Sequence, residues 1–97
     1  MSYYDPLETR DPQAREADLM SKLVRQIAHA KSASPYYAET LSGIDAQACN
    51  SRAALAALPL TRKRDLIELQ KRHPPFGGLN ALARGEAKRV FASPGPI

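Results

Sequence analysis

Residues 11–37 read DPQAREADLMSKLVRQIAHAKSASPYY, and the fold turns on how they are read. Asp11-Pro12 joins a capping side chain to a proline at the first helical position, where its missing N–H is no loss. Beyond it Ala17, Met20, Leu23, Val24, Ile27 and Ala28 recur at three- and four-residue spacing. Arg15, Asp18, Lys22, Arg25 and His29 fall on the opposite side, so the stretch is an amphipathic helix. Asp18 and Lys22 add an i,i+4 ion pair to it. The helix should end near Lys31, because Ser34 precedes Pro35 and a residue before proline is pushed out of helical geometry. Ser34-Pro35 then repeats the start signal and predicts a short second helix through Leu41, stopped at Gly43.

Working outward, residues 1–10 (MSYYDPLETR) have no sustained period and predict an extended arm, whose Tyr3, Tyr4 and Leu7 are suited to docking. On the other side, Ser51 is placed to cap the Ala-rich RAALAAL, which Pro59 ends. Thr61 is placed to cap RKRDLIELQKR, with Leu66, Ile67 and Leu69 on one side. Pro74-Pro75 opens a loop containing Phe76-Gly77-Gly78. Residues 87–92 (AKRVFA) favour a strand centred on Val90 and Phe91, followed by Ser93-Pro94-Gly95-Pro96. The expected organisation is an arm over 1–10, a helical part over 11–72, and a loop plus one strand over 73–97. The class is therefore mainly α, about four short helices and one C-terminal strand. A single strand leaves both edges unpaired, so the chain reads as helices leading into the first strand of an absent sheet.

Composition agrees that the core is thin. Hydrophobic residues make up 43% of the 97, but 16 of them are Ala. Leu, Ile, Val and Phe total 19, about a fifth of the chain and the low edge for a packed core. Cys49 is the single cysteine, which excludes an intrachain disulfide framework. No secretory leader pattern opens the sequence, which fits a cytoplasmic location, and no apolar run is long enough to cross a bilayer. Net charge is +4, but it is unevenly spread: side chains of residues 1–18 sum to −3 and those of 62–72 to +3. The basic stretch lacks interleaved aromatics on which bases would stack, so neither nucleic acid nor a membrane is the expected partner. A basic face of this kind also admits another reading, a small helical module that binds an acidic protein through residues 62–72.

Few residues carry chemistry. His29 lies on the polar side of the first helix and His73 precedes the Pro-Pro break, positions of solvated histidines. Cys49 has no basic neighbour and reads as a small inert thiol. No spacing of His and Cys marks a metal site. The Tyr3-Tyr4 and Tyr36-Tyr37 doublets read as packing residues. Lys63 stands out, since Arg62, Lys63 and Arg64 gather at a helix start, where cations oppose the macrodipole and an anion would offset the cost. Ser93-Pro94-Gly95-Pro96 has the composition of a tight turn or a phosphate loop. No catalytic residue is expected in this chain.

Taken in order, YYDPLETRDP, QIAHAK-x3-PYY, LPLTRKRDL, PPFGGL and RVFASPGPI resemble the N-terminus of phenylacetate–CoA ligases, AMP-forming enzymes of the acyl-adenylate superfamily. The resemblance runs over essentially the whole chain but only the opening part of such enzymes. It implies the N-terminal portion of an α/β adenylate-forming domain. It also implies a two-step reaction, in which ATP and an aryl-acetate-type acid give an acyl-adenylate and pyrophosphate and the thiol of CoA then takes the acyl group. Mg²⁺, a cytoplasmic location and a homo-oligomer belong to the same expectation, as does packing against the remainder of the adenylation domain. Thr61, Lys63, Asp65 and Leu66 match the family's TxKxDL segment, which implies that Lys63 faces nucleotide phosphates. Ser93 and Gly95 stand at the start of the family's Ser/Thr/Gly-rich ATP loop. Pro94 and Pro96 depart from it and remove two backbone N–H donors. The acid pocket, ribose-binding carboxylate and C-terminal lysine of such enzymes have no counterpart here, so the chain alone is expected to be inactive.

Overall fold

The computed structural model describes residues 2–94. Four α-helices follow one another, α1 (Pro12–Ala33), α2 (Pro35–Thr40), α3 (Arg52–Ala56) and α4 (Lys63–Arg72), with 3-10 turns at Pro6–Thr9, Ala46–Ala48 and Arg84–Glu86. Three starts follow the capping chemistry written in the sequence. The Asp11 carboxylate accepts the Ala14 N–H at 3.1 Å, and the Ser51 hydroxyl accepts that of Ala54 at 3.1 Å. The Ser34 hydroxyl accepts the Tyr37 N–H at 3.5 Å. Ser34 also ends α1, its own N–H donating to the Ala30 carbonyl at 3.0 Å while its backbone turns extended before Pro35.

The predictions fail at two helix starts and along one segment. The arm is not fully extended, because Asp5-Pro6 acts on a small scale as Asp11-Pro12 does. The Asp5 carboxylate accepts the Leu7 N–H at 2.9 Å and starts the 3-10 turn at Pro6–Thr9. Thr61 does not cap α4. Arg62 occupies the cap position and supplies no side-chain bond, and the Thr61 hydroxyl lies 3.2 Å from the Tyr37 hydroxyl instead. Among the described residues there is no strand, so 87–92 runs without a ladder. A strand needs a neighbour's N–H and C=O groups, and none is presented to it.

The core sits between α1, α2 and the turn at 46–48. Ile27, Leu41 and Cys49 are its buried apolar side chains, with Leu23, Tyr37, Ile44, Ala46 and Leu58 packed around them. The Lys31 ammonium donates to the Ile44 carbonyl, tying the end of α1 to the connection that follows α2. Ion pairs brace the other end. Asp18 is held by Lys22 and by Arg10, each at 2.9 Å, and Arg52 reaches Glu16 through two bonds of 2.6 and 2.9 Å. Hydrogen bonds from Lys22 and Arg10 lower the Asp18 pKa, the bond from Arg52 lowers that of Glu16, and Glu16 in turn raises that of Arg52.

Residues 60–94 are organised differently. Their one α-helix, α4, buries no residue. Accessible surface is 7717 Å², against about 5,500 Å² for a folded monomer of this mass. The radius of gyration is 16.8 Å, where roughly 12.5 Å is usual for this length. The helices do not close over a common core.

Candidate functional site

Most of the shape in the second half comes from the loop after α4. His73 ends that helix, donating its N–H to the Leu69 carbonyl at 2.9 Å, and the Pro74-Pro75 peptide that follows is cis. Gly77 and Gly78 have φ of +67° and +78°, a region that a side chain disfavours. At Gly77 space is also closed, since a Cβ there would lie 3.0 Å from Leu69 Cβ. The two glycines let the loop turn back onto α4 and lay its next carbonyls against α2. The Gly78 carbonyl accepts the Tyr36 N–H at 2.9 Å. The Ser34 hydroxyl, 3% exposed, lies 3.2 Å from both the Gly78 and Leu79 carbonyls. Ser34 thus caps a helix and clasps a loop more than forty residues away.

Between α2 and this loop lies a cleft of about 760 Å³, within the range of ligand-binding cavities. Its walls are the ring of Tyr36, Phe76 and the two prolines, and its charged groups are Glu39, Arg72, His73 and Arg84. Arg72 makes one long bond to the Glu68 carbonyl, at 3.5 Å, and Arg84 and Glu39 form no ion pair. A second cleft of about 480 Å³ shares Phe76, Asn80 and Arg84 with the first and runs on past Leu82, Arg89 and Phe91. Together they form a trough lined by apolar side chains and by Arg72, Arg84 and Arg89, with Glu39 as its one carboxylate.

Of the candidate nucleotide-binding residues Lys63, Ser93 and Gly95, neither Lys63 nor Ser93 lines this trough. Lys63 is the first residue of α4, exposed and without an ion pair, and Asp65 beside it takes Arg64 at 3.8 Å. Ser93 is exposed beyond the second cleft. Gly95 lies outside the described residues. His29 and His73 are exposed, His73 at the cleft wall, and Cys49 is buried with its thiol 3.5 Å from the Asp45 carbonyl. Glu39 and Arg84 carry no sequence signature. The signal that leads to them is the Pro-Pro and Gly-Gly pair in PPFGGL, which forces a shaped turn where an ordinary loop would be polar.

Among the described residues no group of His, Cys, Asp and Glu is disposed to hold a metal ion, and no helix is long and apolar enough to cross a membrane. No known protein family matches the chain, and no curated protein and no solved structure proves similar to it.

Proposed function

We propose that this chain is the N-terminal helical portion of an AMP-forming acid–CoA ligase of the phenylacetate–CoA ligase type. The reading begins in the linked order of motifs from YYDPLETRDP to RVFASPGPI. The observation that carries it is the open packing: the chain as a whole exposes about 2,200 Å² beyond a closed monomer of its mass, and in its second half Leu60, Leu82, Val90 and Phe91 are more than half exposed. Such a surface suits a segment that packs on the remainder of an adenylation domain and offers 87–92 to its sheet.

In this reading the segment supports the chemistry without performing it. Bound ATP supplies the adenylyl group that activates the acid, Mg²⁺ accompanies its phosphates, and CoA receives the acyl group in the cytoplasm. Lys63 fits a phosphate, being an exposed cation without a carboxylate partner, beside the free N–H groups of a helix start. Ser93 and Gly95 lead into the phosphate loop, with fewer backbone donors than usual because of Pro94 and Pro96.

The test is ATP–pyrophosphate exchange in the full-length protein with an aryl-acetate-type acid. Lys63→Ala should slow exchange at least tenfold while leaving the melting temperature within about a degree; unchanged exchange overturns the phosphate role. One feature favours the interaction-module reading, in that Arg62 and Lys63 are cations without an ion pair at the start of a helix that buries nothing. A native transcript whose reading frame closes directly after codon 97 would decide for that module and against the ligase.

A further inference from the structure

The first cleft holds charges of both signs that do not neutralise one another. Glu39 comes from α2, Arg72 from the end of α4 and Arg84 from the turn at Arg84–Glu86. Among the described residues none of the three enters an ion pair. Arg72 bonds only through Nε, to the Glu68 carbonyl, which leaves both terminal nitrogens for another partner. Asn80 uses its amide nitrogen on the Leu82 carbonyl at 2.7 Å, so its amide oxygen is left to accept.

The rest of the lining is largely apolar, with Tyr36, Leu69 and Phe76 half-buried in it. The Tyr36 ring is braced from behind. Tyr37 meets it edge-on, the centroids 4.9 Å apart and the planes at 83°, and Tyr37 itself packs on the core. The Tyr36 N–H is held by the Gly78 carbonyl. A wall fixed on both sides needs little ordering when a ligand arrives.

These groups select by what each class of ligand leaves unpaired. A plain anion pairs with the arginines but covers and repels Glu39. A plain cation pairs with Glu39 and covers the arginines without a partner. A covered, unpartnered charge loses its water and gains nothing, which is a heavy penalty. A ligand with a carboxylate, an ammonium group and an aromatic ring meets every demand. Its carboxylate suits the arginine fork, its ammonium suits Glu39 and the Asn80 oxygen, and its ring stacks on Tyr36 and Phe76.

We infer that the cleft between α2 and the Pro74–Gly78 loop binds an aromatic zwitterion, an aromatic α-amino acid or its dipeptide, with the carboxylate on Arg72 and Arg84 and the ammonium on Glu39. The volume of about 760 Å³ accommodates either source. The cleft alone carries this inference, without the ligase reading. An aryl-acetate-type acid has no ammonium group and is a ligand this cleft should refuse.

Isothermal titration calorimetry of the 97-residue chain tests it. The ligands are L-phenylalanine, glycyl-L-phenylalanine, and compounds that each lack one element: phenylacetate (no ammonium), phenethylamine (no carboxylate) and glycine (no ring). One zwitterion should bind per chain, and each incomplete compound at least tenfold more weakly. The tighter of the two zwitterions tells a free amino acid from a peptide. Glu39→Gln should erase the advantage of L-phenylalanine over phenylacetate, and Arg72→Gln with Arg84→Gln its advantage over phenethylamine. All three side chains are exposed, so helical circular dichroism should stay as in wild type, and a selectivity ratio does not depend on how much chain is folded. No saturable binding of either zwitterion up to millimolar concentration, phenylacetate bound as tightly as L-phenylalanine, or a selectivity that survives Glu39→Gln would each overturn the proposal.

Discussion

The two halves of the chain solve the same problem to different degrees. Among the described residues every buried side chain with a polar or apolar group to hide, Ile27, Ser34, Leu41 and Cys49, lies between residues 27 and 49. From Leu60 onward a helix and a shaped loop also form, yet among the described residues only Gly77 is buried there. Local structure therefore does not require a core of its own, since capping and glycine turns form it wherever the residues allow. What the second half lacks is a surface to close on. The first half is a small folded body, and the second is a shaped surface attached to it.

Breaking the core gives the largest expected effect. Ile27→Ala should cost about 2–4 kcal/mol, because a cluster of three buried apolar side chains has little means to collapse around a cavity. Ile67→Ala, at 37% exposure on α4, should cost under about 1 kcal/mol. Thermal melts followed at 222 nm compare the two, and equal losses would erase the distinction between the halves. Next in size is Gly77→Ala, where positive φ and the approach to Leu69 should cost about 1–3 kcal/mol and open the cleft. Gly85→Ala meets nothing within 4 Å and should lie within about 0.5 kcal/mol of wild type, so the pair separates loop geometry from glycine content.

Acid should act on the first half, and more gently. Glu16 and Asp18 are held below their ordinary values of 4.5 and 3.8 by Arg52 and by Lys22 with Arg10. A carboxyl with a lowered folded pKa stabilises fully above its unfolded pKa and loses that contribution as pH falls through the folded one. The melting temperature should hold above about pH 5 and fall below about pH 4, less steeply in Arg52→Ala, where Glu16 has lost its partner. A profile as steep in that variant as in wild type would remove the pair from the account.

Sequence reasoning located the helices where the deciding bond is local. Asp11, Ser34 and Ser51 each cap an N–H three residues on, a distance at which neighbours in sequence are neighbours in space. It misplaced the start of α4 because the Thr61 hydroxyl is engaged by Tyr37, 24 residues back. The Asp5-Pro6 start shows in the sequence only as a cap-and-proline pair, because too few residues follow it for a period to appear. The strand at 87–92 has the right residues, and propensity cannot tell whether a neighbouring edge exists. Lys63 and Ser93 were singled out by charge and turn composition, whereas the cleft residues Glu39 and Arg84 meet only through the fold. Clefts are made by contacts across tens of residues, and no short window contains them.

Ser34 joins those two scales in one atom. Its hydroxyl serves the first turn of α2 and the carbonyls of residues 78 and 79, so neither can be released without weakening the other. In hydrogen exchange, the Tyr36 and Tyr37 amides should open together with the cleft wall as one cooperative unit, though more than forty residues separate them along the chain. A ligand or a domain seated in that cleft would therefore be felt first as protection of the short helix behind it.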